Sequence, residues 1–160
     1  MKRLWAPWRI EFIKRAHLKP KGCIFCELPK KGLNKDNLVL FKGEHSFVIM
    51  NRYPYVSGHL MVIPHRHTCD FSSLSAAEHT EMGQLLSWCS TILKKEMHAH
   101  GFNIGMNLGE AAGAGIKDHL HYHIMPRWNG DTNFMSAVGD LRVIPESLQK
   151  NYSRLKKHFK

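Results

Sequence analysis

The chain has 160 residues, a length that suits one domain, and its 43% hydrophobic and 22% charged composition supports a buried core rather than a disordered segment. Lys and Arg number 23 against 13 Asp and Glu, giving a formal charge of +10, and twelve histidines come on top of that. No apolar run reaches the roughly 18–20 residues of a membrane span, and Pro7, Arg9, Glu11 and Lys14 interrupt any signal-peptide core, so the expected setting is soluble and cytoplasmic, with no membrane partner.

In chain order, a basic, tryptophan-bearing start (Trp5, Trp8) leads to the pair Cys23-Ile24-Phe25-Cys26. A polar Pro/Gly loop follows over 28–36. Leu38–Phe41 and Phe47–Met50 read as short strands joined by a turn around Gly43. The turn Asn51–Gly58 leads into an apolar strand, His59–Ile63, ended by Pro64. Leu74, Met82, Leu85, Leu86, Ile92 and Leu93 recur at spacings near three and four, which predicts a helix over Ser75–His98, and Ser75 with Glu78 forms a capping box. Two further strands, Phe102–Leu108 and His119–Met125, flank a glycine-rich loop, and Glu146–Phe159 predicts a last helix. Strands mixed with one long helix give an α+β domain with a mainly antiparallel sheet.

Charge and histidine separate along this order. Residues 1–42 carry net +8 and 141–160 net +5, whereas 43–140 carry −3 and hold ten of the twelve histidines, His45 through His123. A basic end is ordinarily solvated charge. The alternative is an arm closing over a phosphate ligand or a partner subunit. Either way the charge does not argue for nucleic acid.

The run His119-Leu120-His121-Tyr122-His123-Ile124-Met125 carries the chemistry. On a strand, alternation places the three imidazoles on one face, about 7 Å apart, and Leu120, Tyr122 and Ile124 on the other. Buried histidines need polar partners, so three in alternation beside a glycine loop point to a site rather than to packing. Alternating histidines also serve as zinc ligands. Cys23 and Cys26 read as a metal or redox pair in a reducing compartment. Tetrahedral zinc needs two more ligands, and His65, His67, His79 and His119 are all candidates. Cys69 and Cys89 read as ordinary small residues. The loop from Asn107 through Gly113 to Gly115 frees its backbone to approach phosphate oxygens and reads as one wall of a phosphate site.

With these residues in view, HLHYHIM matches the His-φ-His-φ-His-φ-φ signature, and the chain resembles the histidine-triad (HIT) superfamily of nucleotide hydrolases and transferases. Asn51-Arg52-Tyr53-Pro54 with the following Gly58–Pro64 resembles the family's nucleoside-binding turn and strand. LWAPWR, CIFC and RWNGDTNFM (127–135) resemble the bacterial branch related to diadenosine tetraphosphate (Ap4A) phosphorylases and hydrolases. The resemblance implies a HIT-like fold with a five-stranded sheet, one long helix and a C-terminal helix. A single HIT domain would span 1–140, including an N-terminal zinc-binding segment, with a basic tail or helix over 141–160.

The resemblance also implies roles. His121 would be the nucleophile that forms a nucleotidyl-histidine intermediate, with His123 contacting phosphate or the leaving group and His119 completing the triad. Asn51, His59, Asn107, Gly113 and Gly115 would contact nucleotide or phosphate. A structural zinc would be held by Cys23, Cys26, His67 and His119. Ala114–Asp118 departs from the Gln and Ser/Thr pattern of many members, so phosphate contacts there would come from backbone N–H groups or Lys117. The implied activity is cleavage of Ap4A-like dinucleoside polyphosphates at the α-phosphate, with water or inorganic phosphate as acceptor, by a homodimer. The alternatives are a nucleoside phosphoramidase and a non-catalytic, zinc-containing nucleotide-binding protein.

Overall fold

A computed structural model describes residues 22–131 and 144–160. The N-terminal arm with Trp5 and Trp8, and positions 132–135 of the RWNGDTNFM segment, lie outside them.

The fold is built on five strands: β1 (Val39–Lys42), β2 (Ser46–Met50), β3 (Leu60–Pro64), β4 (Gly101–Met106) and β5 (Tyr122–Arg127). They form one sheet in the order β1-β2-β3-β5-β4, and every pairing is antiparallel. Among the described residues three α-helices accompany them: a single turn α1 (Ile24–Glu27), the long α2 (Ala76–Met97) and α3 (Leu148–Lys156). The expected α+β class, five-stranded sheet, long helix and C-terminal helix are all present.

Every residue of β2 and β3 is buried. Both strands read as apolar runs because they sit inside the sheet with cover on each face. The helix α2 packs on β2, β3 and β5 through Met82, Leu85, Cys89, Ile92 and Leu93, all buried on one stripe. Each large aliphatic side chain on that stripe contributes about 1.5–3 kcal/mol by leaving water. Both halves of the Ser75–Glu78 capping box are formed, and α2 stops at His98, which takes the left-handed conformation at φ 52°.

The C-terminal helix shares this core. Tyr152, Leu155 and Phe159 are buried, Tyr152 Oη donates to Val39 O at 3.2 Å, and Lys156 Nζ donates to Leu40 O at 2.8 Å. At the β1–β2 turn, Glu81 of α2 accepts from the backbone N–H groups of Glu44 (2.9 Å) and His45 (2.6 Å). A Cβ on Gly43 would run into the Glu81 carboxylate and stand 3.1 Å from Ser46 O, so a side chain there would push Glu81 off the turn.

The triad strand differs from its expected bounds. It starts at Tyr122 rather than His119, and runs on to Arg127. The cause lies in the preceding residues. Leu120 N–H is taken by Thr68 O at 2.8 Å, outside the ladder, and the ring of His119 donates to Pro64 O at 2.9 Å. Residues 119–121 are therefore anchored to the segment after β3 before the strand pairing begins.

Candidate active site and metal centre

Two groups of side chains meet at this irregular entry to β5. The first gathers Cys23, which caps the start of α1, Cys26 within it, His67 just beyond β3, and His119. Their four ligand atoms all lie within 4.8 Å of one another. Cys23 Sγ lies 3.3 Å from His119 Nδ1, Cys26 Sγ 3.6 Å from the same atom and 3.5 Å from His67 Nδ1, and the two Nδ1 atoms are 3.3 Å apart. A tetrahedron with metal–nitrogen and metal–sulfur bonds near 2.0 and 2.3 Å has edges of about 3.3–3.8 Å. Four of the six donor–donor distances fall in this range, and the set could hold a metal ion. Burial, with Cys23 beside it, pushes the Cys26 thiol up, so a cation binding here competes with protons. Among the candidates left open by spacing, His65 instead donates from Nε2 to Gly43 O at 3.1 Å, and His79 packs edge-on against Phe71.

The second group is the pair His121 and His123, whose ring centroids are 4.9 Å apart. That is closer than strand spacing alone provides, because His121 still belongs to the irregular entry. Backbone groups dictate the tautomer of each ring. His121 Nδ1 lies 2.9 Å from His119 O. A carbonyl only accepts, so Nδ1 carries the proton and Nε2 presents a lone pair. His119 follows the same rule in mirror image: its Nε2–H goes to Pro64 O and its Nδ1 lone pair faces the cysteines.

The tautomer of His123 is set through His59. Tyr55 N–H donates to His59 Nδ1 at 3.2 Å, so His59 carries its proton on Nε2. That atom stands 2.9 Å from His123 Nδ1 and donates to it, which leaves His123 with its proton on Nε2. The site thus offers one imidazole lone pair and, beside it, one imidazole N–H.

Burial keeps these rings neutral. It pushes His59 down to about 3 and His123 to about 4, with neighbouring histidines adding to the effect. His121 and His119 are lowered by the same desolvation, against the opposing pull of the carbonyls that accept from them.

His59, expected to touch nucleotide or phosphate, is 1% exposed and both its nitrogens are engaged within the protein, so it stands behind His123. Asn51 Oδ1 accepts from Tyr53 N–H at 2.9 Å and its Nδ2 lies 3.4 Å from His59 Nδ1, which organises the turn that orients His59. Asn107 Nδ2 donates to Gly113 O at 3.3 Å across the glycine loop. Gly113 adopts φ 84°, whereas a Cβ on Gly115 would meet nothing within 4 Å. Lys117 is paired with Glu110 at 3.4 Å.

Three residues with a part in the site are not singled out by the sequence patterns. Phe25, between the two cysteines, packs its ring at 5.0 Å from His121 and 5.6 Å from His119. Tyr55 fixes the His59 tautomer through its main chain, which no side-chain pattern reveals. Pro64 acts through its carbonyl oxygen. Only Phe25 offered a hint, as an aromatic enclosed by a metal-type pair.

Comparison with known proteins agrees with this geometry. The chain is 35% identical over 156 residues to an AP-4-A phosphorylase of Mycobacterium tuberculosis, covering 93% of this chain and 80% of that protein. It is 30% identical over 104 residues to a bis(5'-adenosyl)-triphosphatase of Saccharomyces cerevisiae, covering 64% of this chain and 48% of that one. A crystal structure of a Zn-bound histidine triad family protein from Mycobacterium smegmatis superposes with a TM-score of 0.68 at 26% identity, covering 86% of this chain and 92% of that one. Residues 33–130 match the family model of the HIT domain. With the triad, its supporting carbonyls and the sheet in place, the chain belongs to the HIT domain family.

Proposed function

We propose that this protein is a HIT-family enzyme that cleaves dinucleoside polyphosphates of the Ap4A type at the α-phosphorus, through a nucleotidyl intermediate on His121. The observation that carries the reading is the fixed pair of tautomers, a lone pair on His121 Nε2 beside an N–H on His123 Nε2. The relatives named AP-4-A phosphorylase and bis(5'-adenosyl)-triphosphatase support the substrate class.

In the first step His121 Nε2 attacks the α-phosphorus, and the bond from phosphorus to the bridging oxygen breaks with its electron pair going to that oxygen. His123 Nε2–H donates a hydrogen bond to the departing oxygen. A polyphosphate chain leaves as an anion and needs no full proton transfer. The phosphorylated His121 ring becomes cationic and retains its Nδ1–H, which the His119 carbonyl stabilises. In the second step an acceptor oxygen attacks phosphorus, the N–P bond breaks, and the lone pair returns to Nε2. Water as acceptor gives nucleoside monophosphate and releases a proton to solvent. Inorganic phosphate as acceptor gives nucleoside diphosphate. Asn51 and the turn it organises lie at the nucleoside end, and Asn107, Gly113 and Gly115 form the phosphate wall.

Cys23, Cys26, His67 and His119 would hold zinc. The two-thiolate, two-imidazole donor set and its tetrahedral spacing suit that ion, and the Zn-bound Mycobacterium smegmatis relative supports it. Four protein ligands leave no open position, so the ion's contribution is structural. The protein would act as a homodimer joined along β4, an edge strand that leaves Ile104 49% exposed. Among the described residues no helix is long and apolar enough to cross a membrane.

Incubation with α-labelled Ap4A followed by an alkaline quench tests the mechanism. Label retained on wild-type protein and lost in His121→Ala supports it. Turnover by His121→Ala at the wild-type rate overturns it. Repeating the reaction with and without inorganic phosphate identifies the acceptor, since ADP forms only in the phosphorolytic reaction.

A further inference from the structure

Between the donor His67 and the start of α2 lies an ion pair, its carboxylate buried and its guanidinium 44% exposed, with no part in the chemistry above. Arg66 Nε donates to Glu78 Oε1 at 3.0 Å and Nη2 to Oε2 at 2.9 Å, a two-point fork. The same guanidinium donates from Nη2 to Ser73 O at 2.6 Å. Glu78 is 7% exposed, and its bonds to Arg66 and Ser75 hold its carboxyl down to about 2. The capping box needs only Ser75 and Glu78. The arginine adds something else, a rigid directional strut between α2 and the chain at residue 66.

That stretch of chain is crowded with fixed points of the site. Pro64 O accepts from His119 Nε2. His67 supplies a ligand atom to the four-donor cluster. Thr68 O accepts from Leu120 N–H. Arg66 stands in the middle of these positions and is the residue that ties them to the N-terminus of the long helix.

We propose that Arg66, held by Glu78, is a positioning residue for the metal centre: it presets residues 64–68 so that His67 Nδ1 and Pro64 O occupy their places before an ion binds. The proposal rests on the metal reading above. A segment left free would have to be ordered on binding, and that ordering subtracts from affinity.

The test uses the full chain, stripped of metal and titrated with Co²⁺ by absorption and with Zn²⁺ by competition. Wild type is compared with Arg66→Met, Arg66→Lys and Glu78→Gln, with thermal unfolding of each protein measured with and without metal. Arg66→Met and Glu78→Gln are expected to bind both ions about 10–100-fold more weakly. Arg66→Lys keeps the charge but loses the fork, and falls between them and wild type. The Co²⁺ spectrum at saturation is unchanged, since all four ligands remain. Dissociation constants at the wild-type value, with unfolding lowered equally in the presence and absence of metal, describe a merely structural pair and overturn the proposal. If Arg66→Met does not fold, Arg66→Lys and Glu78→Gln decide by the same criterion. A wild-type chain that binds neither ion overturns the metal reading and this proposal together, whereas metal-binding wild type with unaltered variants overturns this proposal alone.

Discussion

His119 serves two neighbours with two different parts of itself: its ring Nδ1 faces Cys23 Sγ at 3.3 Å, while its backbone carbonyl accepts the Nδ1–H of His121 at 2.9 Å. Whatever fixes the ring of His119 therefore also fixes the acceptor that sets the His121 tautomer. Removal of the metal, or Cys23→Ser, should lower stability by about 3 kcal/mol, or roughly 6–12 °C in Tm at this chain length. It should also lower kcat more than it raises KM, because the nucleophile loses its orientation while the nucleotide contacts remain. Calorimetry and steady-state kinetics on metal-stripped protein check both. Unchanged unfolding in Cys23→Ser would remove the structural role.

His59 holds His123 in the tautomer with its proton on Nε2, the N–H that the proposed mechanism directs at the leaving group. His59→Leu should lower kcat by about 10²-fold, within the range for loss of a positioned proton donor. His59→Gln can still accept from Tyr55 N–H and donate to His123, and should recover most of that loss. Equal activity in the two variants would mean that the hydrogen-bond relay has no catalytic weight.

Acidification should destabilise the protein in two overlapping windows, one opening below pH 6.5 and the other below pH 4.5. His59 and His123 have folded values of about 3 and 4, below the 6.5 of a free histidine. The unfolded chain thus binds protons first, and the stability these rings contribute is complete above pH 6.5 and lost as pH falls toward 4. Glu78, depressed from 4.5 to about 2, contributes stability present above pH 4.5 and lost below it. Urea unfolding midpoints measured from pH 8 to 3 should therefore fall in two overlapping steps. His59→Leu should flatten the upper one and Glu78→Gln the lower.

The glycine loop offers a contrast between two neighbouring positions. Gly113 sits at φ 84°, so Gly113→Ala strains the backbone and should destabilise by about 1 kcal/mol. A Cβ at Gly115 meets no protein atom within 4 Å, so Gly115→Ala should leave unfolding unchanged. If its backbone lies against phosphate, the same change should raise KM or lower kcat severalfold. Wild-type kinetics in Gly115→Ala would take that residue out of the phosphate wall.

Much of this was legible from residue patterns, and the parts that were not share a cause. Apolar periodicity located α2 and its capping box, because side-chain spacing and the helix repeat are the same information. Alternation located the triad but misplaced the start of its strand, since the backbone partner of Leu120 is Thr68 O, 52 residues earlier. No local pattern encodes a main-chain acceptor so distant. For the same reason His59, placed among the nucleotide contacts, stands instead behind His123. The roles of Tyr55 and Pro64 are exercised by backbone atoms, which every residue possesses. Spacing could not choose among His65, His67 and His79, because the choice is made by the path of the chain after β3.

The donors of the Cys/His cluster are drawn from residues 23–26, 67 and 119, with sequence separations of up to 96 residues. An unfolded chain can offer only the Cys23/Cys26 pair at close range, and the two imidazoles reach it only after β3 has found β5. Closing loops of that size is the slow, entropy-limited part of building such a sheet. Four-coordinate binding of a metal here would thus be a late event in folding. An ion held by this cluster would act as a latch that closes on an assembled sheet, and its capture by a refolding chain would report when that assembly is complete.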